Sequence, residues 1–590
     1  MKKYEKFKIK YSEEYDRLSK HYNLIGSLRL FIVIALLFLI YQSFTTNQTI
    51  YILLSILMFV AFLILMKIHE KISWNRKIKK QLIAINTDEI SYLKREAIPF
   101  EDGSSYMDLK HFYSFDLDFF GANSLFQNLN RTATYIGSKK LAELLLKLLN
   151  NNEIQSNQNA ISELSKKIEW RQNLLALALI TKDNKENFEK LIEWTELQPQ
   201  KISKSLNLVF YTTPILFIAA AVTYIFTNVP LWLYIAVAFF LVNLFLLVTQ
   251  LKKIKKEVID ADKIASIIKQ YGLIIEQIEN EKFDSAKLNL LKEKLLNKSY
   301  TASKEIKSLS SLFSNIDTIQ NGVAAILFNG AFLYHIHTLN TLIKWKKEYS
   351  KELVDWLEII GDFEALNSLA NFYCNNPSFV FPSLNSTYEI ALKDLGHPLI
   401  TEEKRICNDV IFKENNFIIL TGSNMSGKST FLRTLGINMV LAGIGAPICA
   451  SEANIHPLNV IVFMRQTDSL TDSESYFFAE IKRLKQIIDK LKSEKCFVLL
   501  DEILKGTNSD DKQTGTIEVI KKLISKNAIG AIATHDLKVC DTTNDYPTKL
   551  INKCFEVEII ANDLAFDYKL RDGVCKNKSA TFLMKKMEII

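Results

Sequence analysis

None of the seven cysteines in this 590-residue chain has a partner at C-x-x-C spacing. All seven lie in the C-terminal half, from Cys374 to Cys575, and their number is odd. Disulfide frameworks use paired cysteines, and zinc sites use closely spaced ones, so both classes of small stapled domain are excluded. We expect reduced thiols in a cytosolic domain.

The chain also lacks internal repeats and low-complexity tracts, and its four longest apolar runs contain no acidic residue and, apart from Arg29 near the start of the first run, no basic one. Hydrophobic residues make up 48% of the chain, and the mean hydropathy is slightly positive, which is high for a purely soluble protein. The net charge of +8 is modest for this length. It indicates affinity for anions or for a membrane surface, but it does not establish nucleic-acid binding.

The first two apolar runs, at about 28–44 and 50–66, are joined by a short uncharged link. Residues 1–29 carry eight Lys or Arg, and further basic residues follow Met66. Two apolar runs with basic outer flanks predict a helical membrane hairpin with both ends in the cytoplasm. We assign residues 1–80 to this unit; a buried hairpin in a soluble protein is the alternative.

A second pair of apolar runs, at about 206–226 and 231–249, is longer. Lysines flank the pair on both outer sides, and Trp232 and Tyr234 sit at one end, as interfacial aromatics do. Residues 201–256 are therefore predicted to form a second membrane hairpin. The expectation is a multi-pass protein of the cytoplasmic (inner) membrane, in contact with lipid, with nearly all soluble mass in the cytoplasm.

The segments around this second hairpin, residues 81–200 and 257–378, show helical periodicity. We predict one helical body that the hairpin interrupts, with charged residues on solvated helix faces. Gly137 precedes a leucine-rich helical pattern and is expected to mark a close approach of the backbone. Arg131 and Thr132 form either a polar site or a structural network.

From about residue 379 to 590, short strands alternate with helices, which predicts a mainly parallel sheet. An apolar run, Phe417 to Leu420, precedes a G-x-x-x-x-G-K-[ST] pattern, and a helix is predicted over Phe431 to Val440. Strand, glycine loop and helix are the context of a phosphate-binding loop, whose Lys reaches the outer phosphates and whose Ser holds Mg²⁺. A glycine turn before an ordinary helix is the alternative. The predicted ATP-binding residues are Gly422, Ser423, Asn424, Met425, Ser426, Gly427, Lys428, Ser429 and Thr430.

A second apolar run, Cys496 to Leu500, ends in Asp501 and Glu502. Asp501, with Ser429, is predicted to order Mg²⁺, and Glu502 to activate water for attack on the γ-phosphate. His535 follows another short strand and is predicted to contact the γ-phosphate or that water, with a structural histidine as the alternative. Ser475 opens an apparent helix, where it either binds a γ-phosphate or simply caps the helix.

Together these residues resemble the MutS family of ABC-type ATPases. TGSNMSGKST, from Thr421 to Thr430, is similar to the family's TGPNMGGKST. Further similar motifs, with Ser473 in place of a usual glycine, are Gly396-His-Pro398, Ser475 to Glu480, Leu500 to Ile503 with Gly506-Thr507, Thr534-His535, and Phe566 to Gly573.

The resemblance implies a homodimer in which Ser475 of one subunit closes over ATP held by Lys428 of the other. It also implies that hydrolysis moves helical levers and that DNA, often mismatched or branched, is a partner. The family's Phe-x-Glu mismatch-reading element is not found, so mismatch recognition does not transfer. Arg405 occupies roughly the place where the family stacks an aromatic residue on adenine.

The predicted fold is thus an α/β P-loop ATPase domain after an all-α core and lever region that carries two membrane hairpins. The expected function is a membrane-anchored, Mg²⁺-dependent ATP hydrolase coupled to DNA, as in mismatch repair proteins. Two alternatives stay open: an ATPase that energises membrane transport, and a structural tether whose nucleotide site locks a dimer without DNA.

Overall fold

A computed structural model describes residues 1–46, 48–181, 183–200, 202–257, 261–296, 301–414, 416–465, 476–560 and 563–576. The elements before residue 376 are helical, apart from an isolated bridge between Leu296 and Thr301. Short 3₁₀ turns lie at Ser104–Tyr106, Thr318–Gln320 and Leu537–Asp541. The helices of this part are α1 (Lys2–Thr46), α2 (Thr49–Leu93), α3 (Leu125–Leu129), α4 (Tyr135–Leu145), α5 (Asn151–Lys166), α6 (Ile168–Ala178), α7 (Lys185–Glu196), α8 (Lys204–Thr227), α9 (Pro230–Glu257), α10 (Ala261–Asn280), α11 (Ala286–Glu293), α12 (Ala302–Asp317), α13 (Gly322–Phe332) and α14 (Tyr334–Asn375).

The C-terminal part combines strands with helices. Its helices are α15 (Lys428–Gly443), α16 (Tyr476–Lys490), α17 (Ser509–Ser525) and α18 (Thr542–Asp545). Its strands are β1 (Ser383–Leu384), β2 (Ile390–Leu395), β3 (Asn408–Phe412), β4 (Phe417–Gly422), β5 (Glu452–Ile455), β6 (Asn459–Phe463), β7 (Cys496–Asp501), β8 (Ile529–Ala533), β9 (Leu550–Phe555), β10 (Glu558–Ile560), β11 (Asp563–Ala565) and β12 (Leu570–Asp572).

A six-stranded sheet in the order β12-β9-β4-β8-β7-β6 forms the centre of the C-terminal part. Its strands are parallel except for β12, which pairs antiparallel with β9. A mixed four-stranded sheet, β1-β5-β2-β3, and the hairpin β10-β11 accompany it. The expected arrangement of a helical region followed by a sheet-containing region is therefore present. Because the carboxyl ends of β4, β7 and β8 share one edge, residues distant in sequence meet there.

Two helical hairpins, α1–α2 and α8–α9, contain the four predicted apolar runs. By length and composition, all four helices could cross a membrane. The helices α1 and α2 each extend over 45 residues, well beyond the apolar runs. Their polar ends form helix because Tyr11, Leu82 and Ile85 pack together with Ala176 of α6. The base of the first hairpin is thus docked on the helical body, which the sequence did not indicate.

The helical body is organised along α14, a helix of 42 residues. Its buried side chains include Trp356 and Phe363, which pack in the same cluster as Tyr271 of α10. Arg131, an undecided residue in the sequence, is buried and forms an ion pair with the equally buried Glu89. Asn371 and Asn375 of α14 donate to the same carboxylate, at 2.8 and 3.1 Å. A structural network is therefore the reading that fits Arg131.

Candidate functional site

The loop between β4 and α15 closes tightly around its own backbone. Gly427 has a φ of 97°, in the left-handed region, and a Cβ there would lie 2.9 Å from a ring carbon of Tyr568. A Cβ on Gly422 would lie 2.6 Å from the hydroxyl of Ser426. Glycine is required at both places because any side chain would collide. Gly427 also places the first turn of α15 at Lys428, three residues earlier than the predicted helix start.

Lys428 lies inside this loop. Its Nζ donates to the carbonyl oxygens of Gly422 and Ser423, both at 2.9 Å. Burial lowers the pKa of Lys428, while the carboxylates of Glu502 and Asp501 act in the opposite direction. Among the described residues, the buried hydroxyls of Ser423 and Ser426 have no hydrogen-bond partner. A buried cation beside two unsatisfied hydroxyls is an environment that fits an anion with several oxygens.

The two acids predicted from the sequence lie at the end of β7. Asp501 pairs in register with Ala533 of β8 and forms a hydrogen bond with Ser429 of α15. Burial raises the pKa of Asp501, and the hydrogen bond from Ser429 partly offsets this. A carboxylate and a hydroxyl in contact are oxygen ligands of the kind that Mg²⁺ takes.

Glu502, the next residue, is held by a histidine and a lysine. Its carboxylate lies 2.5 Å from His535 Nε2 and 3.3 Å from Lys505 Nζ. The hydrogen bond with His535 is the main reason that the pKa of Glu502 falls to about 2. The backbone also holds Glu502 in place. Its N–H donates to the carbonyl oxygen of Ala533 at 3.0 Å, and its φ is 46°. Glu502 is therefore ionised at neutral pH and aimed at the end of β8.

These groups border one cleft of about 420 Å³. Of the predicted residues, Asn424 to Thr430, Glu502 and His535 line it directly. Gly422, Ser423 and Asp501 are tied to it through Lys428 and Ser429. The sequence analysis assigned no role to several further lining residues: Leu395, His397, Ile400, Lys404, Ile406, Asn408, Phe431, Thr434, Phe555 and Tyr568.

Two of the missed lining residues belong to motifs that the sequence analysis had quoted for another reason. His397 follows Gly396, and burial lowers its pKa to about 4, so it is neutral at physiological pH. Tyr568 lies in the segment before β12, where its carbonyl oxygen accepts from Asn408 at 3.0 Å. Their motifs therefore carried a signal, but only the fold shows that both face the cleft.

Arg405 does not line the cleft. Its guanidinium donates twice to the carbonyl oxygen of Ile400, at 3.0 and 2.7 Å, and lies 5.2 Å from the centre of the Phe379 ring. The Arg405 guanidinium is therefore engaged by the Ile400 carbonyl and the Phe379 ring. Tyr568, which is partly exposed at the rim, is the aromatic side chain available there.

Ser475 lies outside the described residues, immediately before α16. The described part of that helix is tied to the acidic loop by Glu480, which is buried. The carboxylate of Glu480 accepts from the N–H groups of Leu504 at 3.1 Å and Gly506 at 3.4 Å. The helix after Ser475 is therefore hydrogen-bonded to the loop after Glu502.

A clamp joins the helical body to the C-terminal part. Asp118, in the segment before α3, pairs with Arg433 of α15 at 2.7 Å and with both terminal nitrogens of Arg465 after β6. Asp116 accepts from the backbone N–H groups of Met464 and Arg465, each at 2.7 Å. This connection reaches α15 four residues after Ser429.

Comparison with known proteins agrees with the motifs. Residues 418–588 match the family described as MutS domain V. The chain is 31% identical over 260 residues to MutS protein homolog 4 of Homo sapiens, which covers 42% of this chain and 27% of that protein. It is 29% identical over 235 residues to DNA mismatch repair protein MutS of Thermotoga maritima, which covers 39% of this chain and 29% of that one.

A third relative, DNA mismatch repair protein MutS of Methanosarcina barkeri, is 31% identical over 214 residues, covering 35% of this chain and 23% of that protein. The matched part thus spans less than a third of the length of each relative. The likeness coincides with the part of the chain that builds the cleft. Residues 418–588 of this chain are thus similar to domain V of MutS proteins.

Proposed function

We propose that this protein is a membrane-anchored ATPase of the MutS type, which binds ATP with Mg²⁺ in the cleft and hydrolyses it. The observation that carries the proposal is the convergence of Lys428, Ser429, Asp501, Glu502 and His535 from three parallel strands. A single pair of these residues occurs often in unrelated structural networks. All five around one glycine loop are the set that phosphoryl transfer to water needs.

The cleft fits ATP in charge and in shape. Lys428 and the unsatisfied hydroxyls of Ser423 and Ser426 offer donors to phosphate oxygens, and the first turn of α15 adds its favourable field for an anion. The other end of the cleft is more apolar, with Ile406 and Tyr568 partly exposed. This is the kind of surface on which a flat base stacks.

Each protein group has a distinct task in this proposal. Ser429 and Asp501 would hold Mg²⁺, which supplies charge neutralisation on the phosphates. Lys428 turns its ammonium from the carbonyl oxygens of the loop toward the substrate oxygens. Glu502 stays ionised and accepts the proton of the attacking water, while His535 fixes the direction of that carboxylate.

Membrane anchoring rests on the four apolar helices. The most apolar window of α1 and of α2 buries none of its residues, and the windows of α8 and α9 bury only 22% and 17%. Such exposed apolar surface is costly in water, and lipid would cover it. The basic flanks favour the cytoplasmic (inner) membrane with the ATPase domain in the cytoplasm.

The partners in this proposal are a second copy of the chain, lipid and DNA. A homodimer would bring Ser475 of one subunit to the ATP held by the other, as the MutS resemblance implies. DNA as ligand comes from the relatives whose names describe DNA mismatch repair. Mismatched or branched DNA is the proposed substrate class, and ATP hydrolysis would be coupled to its binding.

The ATPase proposal is tested by Glu502→Gln in the full-length protein in detergent. We expect ATP binding to persist and turnover to fall by about 10²–10⁴-fold, because the proton acceptor is lost. Glu518→Gln is the matched control, since its carboxylate is exposed on α17 of the same domain. Undiminished hydrolysis in Glu502→Gln would exclude Glu502 as the base.

DNA coupling needs a separate measurement. ATPase rates with duplex, mismatched and branched DNA should be compared at a stated salt concentration, because phosphate contacts are strongly screened by salt. The proposal expects binding and a changed rate near physiological salt. Neither binding nor a rate change with any of the three DNAs would remove DNA from the function.

The membrane helices are also compatible with two rivals: an ATPase that drives transport, and a tether whose nucleotide site locks a dimer without DNA. Solute flux in sealed vesicles that requires ATP would support transport. ATP-dependent dimerisation without measurable turnover would support the tether.

A further inference from the structure

The helix α13 presents an apolar face that no part of the described chain covers. Its exposed side chains are Val323, Ile326, Leu327, Phe328 and Phe332, each at least half exposed. No charged residue occurs from residue 321 to 333. Soluble surfaces rarely carry five large apolar side chains on three turns of helix, so a partner that is itself apolar is indicated.

Near its C-terminal end, α13 is fixed to α9 at Gly330. The side-chain amide of Asn243 donates to the carbonyl oxygen of Gly330 at 2.8 Å, and both residues are buried. A Cβ on Gly330 would overlap the ring of Phe240, so only glycine lets the two helices approach this closely. Small residues and buried side-chain amides at a contact are typical of helices that pack inside a membrane.

The position of the Gly330 contact along α9 gives the depth of Gly330 in the membrane. Phe240 and Asn243 follow Pro230 by ten and thirteen residues, which is about 15 and 20 Å at the helical rise. The apolar slab of a bilayer is about 30 Å thick, so a spanning α9 places Gly330 within the slab, on its cytoplasmic side.

At the break between α13 and α14, backbone N–H groups are hydrogen-bonded within the chain. The chain turns at Leu333, whose φ is 49°, and α13 and α14 meet at an angle of 81°. Asn329 accepts at both of its oxygens: Leu333 N–H donates to its backbone carbonyl at 3.0 Å, and His335 N–H to its side-chain oxygen at 3.0 Å. Backbone that leaves a helix at membrane depth must be satisfied internally, and the N–H groups of Leu333 and His335 are satisfied in this way.

The first turns of α14 then run beside the start of α8. The side-chain amide of Asn340 donates to Asn207 at 2.9 Å, and the rings of Tyr211 and His337 lie 4.8 Å apart. Both Asn207 and Tyr211 lie within two turns of Lys204, the basic flank of that span. The chain therefore leaves the hydrocarbon region of the membrane on the side where the basic flank of α8 lies.

We infer that α13 is a re-entrant membrane helix whose exposed face lies among the acyl chains of the cytoplasmic leaflet. This adds a lipid-contacting element to the four spans, and it rests on the proposed membrane insertion of the α8–α9 hairpin. Lipid is the favoured occupant because the apolar face of α13 continues the exposed apolar surface of α9. A second copy of the chain is the competing occupant.

The test compares three leucines of nearly equal exposure in the full-length protein reconstituted into lipid vesicles. They are Leu327 of α13, at 58%, Leu241 of α9, at 58%, and Leu290 of α11, at 57%. Each is changed to Cys alone, as Leu327→Cys, Leu241→Cys and Leu290→Cys, and treated with a membrane-impermeant maleimide. The unmodified chain gives the background labelling of its native cysteines. The same variants in detergent solution give the labelling at full access.

The inference expects vesicles to protect positions 327 and 241 and to leave position 290 reactive. Protection at 241 with full labelling at 327 would overturn the re-entrant helix and keep the membrane anchor. Labelling at 241 as fast as at 290 would overturn the anchor itself and the inference with it.

A nitroxide spin label on the cysteine at position 327 distinguishes lipid from a second copy of the chain as the partner that covers α13. Relaxation by oxygen but not by a water-soluble nickel chelate at position 327 supports lipid. Protection from both would show that a second copy covers α13, and that result would overturn the inference.

Discussion

At the scale of single residues, Gly137 has no room for a side chain, because the carboxylate of a residue distant in sequence occupies that space. The sequence predicted a close backbone approach at this glycine. In the fold, a Cβ on Gly137 would overlap the carboxylate of Glu364 on α14. That carboxylate accepts from the N–H of Ala133 at 2.9 Å and from the Thr134 hydroxyl. Complete burial still raises the pKa of Glu364 to about 7.

Gly137→Ala is expected to destabilise the protein, because Glu364 is too constrained to move aside. Forced overpacking of this kind typically costs about 1–3 kcal/mol. Gly26→Ala is the matched control in α1, where the nearest atom to a new Cβ is 3.9 Å away and helix propensity predicts a gain of up to about 1 kcal/mol. Thermal unfolding of both variants in the same detergent checks this, and equal midpoints would contradict it.

At the scale of elements, Asp118 connects the helical body to α15 and to the end of β6. Arg433 and Arg465 share this one carboxylate, and the segment after Arg465 leads to α16. The Leu117 side chain also packs so close to Gly436 of α15 that a Cβ there would lie 2.8 Å from it. Leu117 and Asp118 therefore join the helical body to α15, whose first residue is Lys428 of the cleft.

Asp118→Ala is expected to lower ATP turnover while ATP binding at Lys428 persists. The change leaves two guanidinium groups side by side without their shared partner. Its stability cost stays near about 1 kcal/mol, because the Asp118 carboxylate is 42% exposed and solvent screens it. Asp355→Ala, at an exposed site on α14, is the control. Turnover equal to that control would show that the clamp has no role in coupling.

At the scale of the whole molecule, the cleft is half of a larger assembly in our proposal. The described residues line the cleft from one side, with Lys428, Glu502 and His535 contributed by the same subunit. The cleft is open at Met425, whose side chain is 78% exposed. A second subunit would cover this opening and bring its own Ser475.

Glu502→Gln with ATP and Mg²⁺ is therefore expected to accumulate as a dimer, because bound ATP is not consumed. Lys428→Met should stay monomeric under the same conditions, since it lacks the main phosphate contact. Sedimentation velocity in detergent, with and without ATP, distinguishes the two. A mass that does not respond to ATP in Glu502→Gln would rule out an ATP-closed dimer.

The features that could be predicted from the sequence are contiguous along the chain: the glycine loop with its lysine, the strand that ends in two acids, and the four apolar runs. The backbone geometry of a loop and the burial of an apolar run both depend on residues that are neighbours in the sequence. A short motif or an apolar run therefore predicts them. It did not reveal α13, because eleven residues are too short to read as a span and only packing against α9 exposes one face.

Which distant residues meet depends on the folded arrangement and could not be predicted from the linear motifs. The parallel order β4-β8-β7 brings His535 to Glu502 and Ser429 to Asp501, and it leaves Tyr568 rather than Arg405 at the cleft. It also docks the base of the first hairpin on α6 and sets Asp118 between two arginines. Such contacts depend on strand order and helix packing, which follow from the burial of the whole core and not from any one segment.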